Sequence, residues 1–255
     1  MGGEDGGEAG LPVHPVRLSG FWMDEHEVTR EAYERFCAET GRDPPAARPD
    51  ASPLEPVLVR WDEAAAYCAH YGKRLPTEAE FERVYRGDGP RARFPWGDES
   101  TPPRLVGNLP DRTLAQRMKE DGYPPIALAS IFEEYDDGWA ALAPVKSFPA
   151  DAFGLHDIVG NAWEWCSDWY ADDWYWRSPE VDPAGPASPG LRFSGASGGG
   201  VRPLHVLKSP AWRVIRGGGF DGVRDHFPCA VRTSGYENHP AGFRGVVSAG
   251  LAGDP

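Results

Sequence analysis

The stretch Gly72-Lys-Arg-Leu-Pro-Thr-Glu-Ala-Glu-Phe-Glu82 carries the strongest local signal in the chain. Thr77 is followed three residues later by Glu80, which is the spacing of a capping box. In such a box the threonine hydroxyl accepts a hydrogen bond from a free amide of the first helical turn, and the glutamate carboxylate accepts one from the threonine amide. The pattern predicts a helix over residues 77–86 that serves as scaffold.

Two more helices are predicted upstream of this stretch. Residues 27–40 follow a period of 3.6 residues and end at Gly41. Their apolar face carries Val28, Ala32, Phe36 and Cys37. Residues 62–71 are rich in alanine, begin on acidic side chains and stop at Gly72, as a short capped helix does.

Downstream of Gly87 the pattern changes to short runs separated by glycine and proline. The chain has 31 Gly and 26 Pro, which favours loops and short strands over long helices. Tryptophans crowd the second half at Trp139, Trp163, Trp165, Trp169, Trp174 and Trp176. This composition predicts an irregular α+β domain held by aromatic packing, with residues 179–200 as a long surface excursion.

Composition narrows the class of partner. The net charge of the 255-residue chain is −13 and no basic cluster is present, which argues against nucleic acid and anionic membranes as partners. No apolar run is long enough to cross a bilayer, and the N-terminal residues lack the features of a signal peptide. Four widely spaced cysteines without a CxxC pair favour reduced thiols. We therefore expect a cytoplasmic location.

Further motifs lie in order around the opening stretch. They are His14-Pro-Val-Arg-Leu18, Phe21-Trp-Met-Asp-Glu25, Pro56-Val-Leu-Val-Arg-Trp61, Phe94-Pro-Trp-Gly-Asp98, Val159-Gly-Asn-Ala-Trp-Glu-Trp165, Val214-Ile-Arg-Gly-Gly218 and Gly242-Phe-Arg244. Any one of them is weak, but their order and spacing are specific. Together they resemble the sulfatase-modifying-factor family, whose founding activity is formylglycine generation.

The resemblance covers residues 1–249 and leaves residues 250–255 as a tail. It implies a single α+β domain of the formylglycine-generating-enzyme type, related to the C-type lectin fold and low in regular secondary structure. The founding members are oxidases, so the resemblance by itself implies oxidoreductase chemistry.

The resemblance also implies two bound calcium ions. The first would be held by the side chains of Asn108 and Asp137 with the carbonyls of Leu109 and Trp139. The second would be held by Glu164 with backbone oxygens around Asp157, Gly160 and Ala162. Carboxylate, amide and carbonyl oxygens are the ligands that Ca²⁺ takes, and loops can supply them.

One part of the family pattern is missing. Formylglycine-generating members hold a Cu(I) ion with two thiolates shortly after a glycine turn, because soft sulfur suits soft copper. The positions of those cysteines read Gly222 and Phe227 in this chain. The nearest thiol, Cys229, matches a structural cysteine of the family instead. The resemblance therefore argues against formylglycine generation by the family mechanism.

Two of the cysteines also lack the disulfide partners that the family resemblance implies. In secreted family members the position of Cys68 forms a disulfide with the position held here by Gly245. The position of Cys229 likewise pairs with the one held here by Tyr85. Each cysteine has lost its partner, which is expected in a reducing compartment.

The segment 219–242 supports a first hypothesis, a non-catalytic recognition surface. Its mixture of aromatic, charged and small residues lies between motif residues, and changeable loops on a rigid scaffold are a common binding arrangement. The segment also resembles that of variable proteins of diversity-generating retroelements, which place hypervariable positions there. The expected ligand is a small molecule, a peptide or a protein. The candidate contact residues are Trp163, Phe220, Arg224, Phe227, Tyr236, Glu237 and Asn238.

The same segment leaves a second hypothesis open. Two histidines and an acid are the components of a non-haem iron triad. The candidate catalytic residues are His226 and His239 with Asp221 or Asp225. Such a site would make the protein an oxygen-dependent oxidoreductase with iron, or less readily copper, as cofactor.

Overall fold

The fold was analysed on a computed structural model, which describes residues 1–7, 10–88, 91–124, 130–189, 192–194, 205–207, 212–236 and 238–250. The helices in the described part of the chain are α1 (Arg30–Thr40), α2 (Trp61–His70), α3 (Glu78–Arg86) and α4 (Arg112–Glu120). The strands are β1 (Phe21–Met23), β2 (Glu164–Trp169), β3 (Arg192–Ser194), β4 (His205–Leu207), β5 (Trp212–Arg216), β6 (Thr233–Tyr236) and β7 (Val246–Ser248).

The capping signals account for the helix starts. Thr77 caps α3 with both hydrogen bonds of the capping box, as predicted. Helix α1 begins three residues later than predicted, because Thr29 is extended and its side chain accepts from the Ala32 amide as an N-cap. Helix α2 begins and ends one residue earlier than predicted.

Helix α4 was not predicted from the sequence. Asp111 caps it by accepting from the Leu114 amide at 3.0 Å. Only Leu114 and Ala115 are buried among its residues, so the apolar stripe is too short to show a clear period. The N-cap aspartate was the available signal.

The strands form three small antiparallel sheets. The central one has the order β2-β5-β6, and the other two pair β1 with β7 and β3 with β4. Strand β1 lies near the start of the chain and β7 near its end, with Trp22 opposite Val247. This pairing closes the two halves of the chain onto one domain.

The central sheet separates two apolar clusters. Side chains alternate along a strand, so neighbouring residues face opposite sides. Trp165 and Ile215 pack with α1 and α2 in one cluster. Cys166 and Val214 pack with α3, Phe132 and other aromatics in the other.

Buried ion pairs connect α3 to the second half of the chain. Glu78 and Glu82 are both 1% exposed although they lie on a helix. Arg232 donates to the two carboxylate oxygens of Glu78 at 2.8 Å each. Arg216 donates to Glu82 at 3.0 Å, and the Tyr175 hydroxyl donates to the same Glu82 oxygen at 3.2 Å. Paired geometry of this kind offsets the desolvation of buried charges.

The predicted surface excursion is described only in part. Residues 179–182 and 184 are exposed, and the Ser19 amide donates to Asp182 at 2.6 Å. Residues 190–191 and 195–200 lie outside the described part of the chain. The backbone of β3 falls within this stretch and pairs with β4 beyond it, so the described part of the excursion contains a strand that was not predicted. Within the described residues, none of the helices has the length and apolar character needed to span a membrane.

Breaking a buried ion pair should be far more damaging than breaking an exposed one. We expect Arg232→Ala to lower the free energy of unfolding by about 3–5 kcal/mol, because it removes two hydrogen bonds from the buried Glu78 carboxylate. Among the described cationic side chains, the variant leaves that carboxylate only the more distant guanidinium of Arg216, 3.8 Å away. The matched control is Arg112→Ala, which removes an exposed pair with Asp136 and should cost below about 1 kcal/mol. Urea unfolding of both variants measures the difference, and equal costs would contradict the structural role of the buried pair.

Candidate functional site

A cavity of about 610 Å³ lies beside the loop that follows β5. Five described parts of the chain form its walls: the loop before α2, the α4 region up to Tyr123, Ile131, residues 139–142, and residues 220–223. The charged and aromatic lining residues are Arg48, Asp50, Glu55, Arg117, Asp121, Tyr123, Trp139, Phe220 and Asp221. Its volume suits a small molecule or a side chain of a larger ligand.

Glycines shape the loop between β5 and the cavity. Gly217 and Gly218 have φ angles of 93° and 80°, in the region that side chains rarely adopt. A Cβ at Gly218 would lie 2.5 Å from the ring of Phe227. The Gly222 amide then donates to the Gly219 carbonyl at 2.9 Å and closes a tight turn. The turn places Phe220 and Asp221 on the cavity wall.

The two positions at which the family resemblance expects copper-binding cysteines have different surroundings. Gly222 lines the cavity and is partly exposed. Phe227 is fully buried, with its ring centroid 5.6 Å from that of Phe132 and 6.4 Å from that of Trp96. Phe227 was expected in the ligand surface, but the structure places it in the apolar core, because the space above Gly218 admits its ring.

Trp163 and His226 form a pair behind the loop. Their rings meet edge to face at 5.1 Å between centroids. The Val223 amide donates to Nδ1 of His226 at 3.3 Å. Burial lowers the pKa of His226, against the opposing effect of Asp225 and Asp221. The lowered pKa favours the neutral imidazole, which agrees with the acceptor role of Nδ1 in the bond from Val223.

The candidate iron triad is not assembled in the described part of the chain. No three His, Cys, Asp or Glu side chains among the described residues are placed to hold one metal ion. His239 is exposed in the loop after β6, where its amide donates to the Tyr236 carbonyl at 2.7 Å. Asp225 is exposed on the short 3-10 turn that also holds His226.

The other candidate contact residues lie outside the cavity lining or outside the described residues. Arg224 donates to the Ser100 carbonyl at 3.0 Å and does not line the cavity. Tyr236 is 51% exposed and packs on Trp212. Asn238 is exposed, and Glu237 lies outside the described residues. Among the predicted contact residues that the structure describes, Phe220 alone lies on the cavity wall.

Sequence reasoning missed most of the cavity walls. Arg48, Glu55, Arg117 and Tyr123 come from the loop before α2 and from the region of α4. They are far from the β5 loop in sequence, and no local pattern links them to it. The N-cap residue Asp111 was the one sequence signal that could have predicted α4 and, with it, this wall of the cavity.

None of the four cysteines forms a disulfide, and all four are buried. Burial raises the pKa of the Cys68 thiol to about 12 and also raises the pKa values of Cys37 and Cys166. Cys229 is 1% exposed. The thiolate is the form that binds metal and reacts, so these thiols are unsuited to either role.

The structure shows what stands in place of the implied disulfide partners. The Tyr85 hydroxyl donates to the Phe227 carbonyl at 3.2 Å, two residues from Cys229. A Cβ on Gly245 would lie 2.8 Å from the Lys73 side chain. The Lys73 amide itself donates to the Cys68 carbonyl at 2.8 Å. The phenol of Tyr85 therefore lies near Cys229, and the aliphatic stem of Lys73 lies where a side chain at position 245 would be.

The first expected calcium set offers unused oxygen atoms. The Asn108 amide nitrogen donates to the Ala141 carbonyl at 2.8 Å, while its buried Oδ1 has no partner among the described residues. Nor does any described group donate to the carbonyls of Leu109 and Trp139. Burial raises the pKa of Asp137 to about 7. A hard cation would satisfy these groups, so the residues fit the ion.

The second expected calcium set also contains oxygen atoms that accept no hydrogen bond from the described residues. Asp157 is 2% exposed, and its Oδ1 accepts no hydrogen bond from the described part of the chain. The carbonyls of Gly160 and Ala162 are likewise without a described donor. Glu164 is held by Arg244 through both oxygens, the shortest contact being 2.7 Å. Its remaining lone pairs could still meet a cation.

Charge around the second set is unbalanced. Glu27, Asp157 and Glu164 are all buried and all interact with the single guanidinium of Arg244. Burial raises the pKa of each of these three carboxyls, that of Glu27 well above its usual range. A divalent cation would supply the missing positive charge.

Known proteins resemble this chain in sequence and in fold. The formylglycine-generating enzyme of Streptomyces coelicolor is 31% identical over 93% of this chain and 80% of its own length. The inactive C-alpha-formylglycine-generating enzyme 2 of Bos taurus is 37% identical over 45% of this chain and 33% of its own length. Treponema denticola variable protein 1 has a similar structure, with a TM-score of 0.62 and 21% identity over 91% of this chain and 86% of that chain.

The four helices, small antiparallel sheets and long loops of the described residues define an α+β fold of the formylglycine-generating-enzyme type. The family described as sulfatase-modifying factor enzyme 1-like domain matches residues 1–249. The chain therefore belongs to that family, which confirms the resemblance and the fold class expected from the motifs.

The core position of Phe227 generates a stability prediction. We expect Phe227→Ala to lower the free energy of unfolding by about 3–5 kcal/mol, because it leaves a cavity among buried aromatic rings. Phe153→Ala is the control; its ring is 39% exposed and its loss should cost below about 1 kcal/mol. Thermal and urea unfolding check both. An unchanged stability of the Phe227 variant would mean that the ring is free to meet a ligand.

Proposed function

We propose that this protein is a non-catalytic recognition module that binds its ligand in the cavity beside residues 220–223. Its ligand is a small molecule or a side chain of a peptide or protein. In this proposal the protein differs from the oxidases of its family because it binds a ligand and does not oxidise it. The protein has the fold of the family, and the loop at residues 220–223 serves ligand binding.

The loss of both thiolates carries this proposal. A linear Cu(I) site needs two sulfur ligands. Gly222 offers no side chain, and Phe227 is enclosed by other aromatic rings. The four thiols that remain in the chain are buried. The copper chemistry of the family therefore has no ligands in the positions that would perform it.

The names of two relatives support the idea that a member of this family can lack catalytic activity. One relative bears the name of an active formylglycine-generating enzyme, and another is named inactive. Loss of catalysis is thus compatible with the fold. Iron chemistry is not favoured, because the described histidines and acids do not converge on one point.

The cavity supports a binding role. Its walls come from five separated parts of the described chain, so a ligand would contact several loops on one core. Tyr123 and Trp139 are 56% and 37% exposed, and exposed aromatic side chains beside a concave surface favour ligand contact.

We also infer that both oxygen-lined loops bind calcium. The first ion would be held by Asn108, Leu109, Asp137 and Trp139, and the second by Asp157, Gly160, Ala162 and Glu164. The unpartnered Asn108 and Asp157 oxygens support this. The ions would neutralise buried carboxylates and fix loops; they would not take part in redox chemistry, since calcium has none.

A fragment screen by NMR tests the binding role. We expect fragments that shift both the indole signal of Trp139 and the amide signal of Gly222. Tyr123→Ala should weaken their affinity about three- to tenfold, since one aromatic contact is lost. Tyr71→Ala is the control, because that tyrosine is 39% exposed and does not line the cavity. Fragments that bind only elsewhere, with both signals unmoved, would refute the proposed site.

Calcium removal tests the two oxygen-lined loops. A ligand at about 100 times its dissociation constant stabilises the folded state by ~2.7 kcal/mol. For a chain of this size we therefore expect excess chelator to lower the melting temperature by about 5–10 °C. Calorimetry with and without re-added calcium measures this. An unchanged melting curve would rule out both sites, whereas recovery with magnesium alone would rule out calcium as the specific ion.

A further inference from the structure

We propose that the ligand of the cavity carries an organic cation, an ammonium or guanidinium group on an apolar stem. This inference rests on the proposed binding function and names the chemical class that the cavity accepts. Three features support it: the charges that line the cavity, the arginines that are already engaged, and the uncovered aromatic rings.

The charges that line the cavity are mainly negative. Its acidic residues are Asp50, Glu55, Asp121 and Asp221, and its basic residues are Arg48 and Arg117. Four carboxylates against two guanidiniums leave an excess of two negative charges. The net charge of the whole chain, −13, acts in the same direction and attracts cations.

Both arginines are already engaged by acids of the same wall. Arg48 donates to the two carboxylate oxygens of Glu55 at 3.2 and 3.0 Å. Arg117 donates to Asp121 at 2.9 Å, one helical turn away. These pairs neutralise one another, so neither guanidinium is left to bind an anionic ligand strongly.

The two remaining acids are available. Asp221 is exposed and forms no hydrogen bond or ion pair with the described residues. The Asp50 side chain is 83% exposed and lies 3.8 Å from Nε of Arg48, at the outer limit of an ion pair. A cation in the cavity would find one carboxylate without a competing partner and a second one only weakly engaged.

The aromatic walls point to the same class of ligand. No described arginine or lysine lies over the rings of Tyr123, Trp139 or Phe220. Elsewhere arginines cover several rings, among them Phe132 and Phe153. An uncovered ring beside a carboxylate attracts a cation through its electron-rich face.

The protein holds one of its own cations in such surroundings. The Arg213 guanidinium carbon lies 3.5 Å from the centroid of Trp61 and 3.2 Å from that of Trp169. Its NH1 also donates to the Ser167 carbonyl at 2.8 Å. Aromatic rings with a nearby oxygen therefore already bind a guanidinium in this fold, and the cavity offers the same two components with stronger negative charge.

The apolar part of the ligand has its own surface. Leu114, Met118, Ile131 and Leu142 line the cavity beside the charged groups. A methylene stem can pack on such a surface while its charged end reaches the carboxylates. The ligand is thus expected to be amphipathic, and a bare metal ion or an inorganic cation would leave these walls in contact with water.

Amino-acid probes with the same capped backbone test the inference, and the arginine and citrulline members of the set are nearly the same in shape but differ in charge. They are Nα-acetyl-arginine methylamide, its neutral isostere Nα-acetyl-citrulline methylamide, and the corresponding lysine and glutamate compounds. Each is titrated into the calcium-loaded full chain, and the Trp139 indole signal is followed. We expect the arginine and lysine probes to bind about tenfold or more tightly than the citrulline probe, and glutamate not to bind.

Substitution of one carboxylate localises the effect. Asp221→Asn should weaken the arginine probe about three- to tenfold and reduce the loss of affinity in high salt. Asp225→Asn is the matched control, because it removes the same charge from the same segment at a residue that does not line the cavity. The affinity of the Asp225→Asn variant for the arginine probe should stay within about twofold of that of the unsubstituted protein.

The outcomes separate this inference from the binding function itself. Equal binding of the arginine and citrulline probes, or preferred binding of glutamate, would overturn the cation assignment. Fragments that shift the Trp139 signal while no cationic probe does would overturn it too, and would leave the binding function standing. Failure of fragments and probes alike would refute both. Equal loss in the Asp221 and Asp225 variants would show that general attraction, and not this cavity, holds the cation.

Discussion

The structure depends on acids that α3 carries into the core. Glu78 and Glu82 are buried and are met by Arg232 and Arg216 from the second half of the chain. Unpaired, either carboxylate would be costly to bury, so helix and strands are stable only in this mutual position. The same pairs fix both ends of the segment between β5 and β6, because Arg216 ends β5 and Arg232 precedes β6.

A segment anchored at both ends can change in between without loss of the fold. The loop after Arg216 turns at two glycines, places Asp221 on the cavity wall and returns through Phe227 to the core. Neither Gly222 nor Phe227 takes part in the buried ion pairs of α3. Phe227 even adds apolar packing. The proposed binding role uses the open cavity beside this loop.

Local signals predicted much of the fold and little of the site. The capping box at Thr77 predicted α3 because its hydrogen bonds are formed within four residues. The burial of Glu78 could not be predicted, since its partner Arg232 is distant in sequence and charged residues are ordinarily exposed. The cavity was missed for the same reason: its walls are joined only by the fold. Phe227 was misplaced because an aromatic residue in a variable-looking loop suits a surface as well as a core.

The central claim is that the family fold persists here without the family oxidation, and one assay tests it directly. Purified protein is incubated with Cu(I), oxygen and a cysteine peptide that the Streptomyces coelicolor relative converts, and mass spectrometry follows the peptide. We predict no conversion to the aldehyde and no stoichiometric retention of copper, while the relative converts the peptide under the same conditions. Catalytic turnover by this chain would contradict the account.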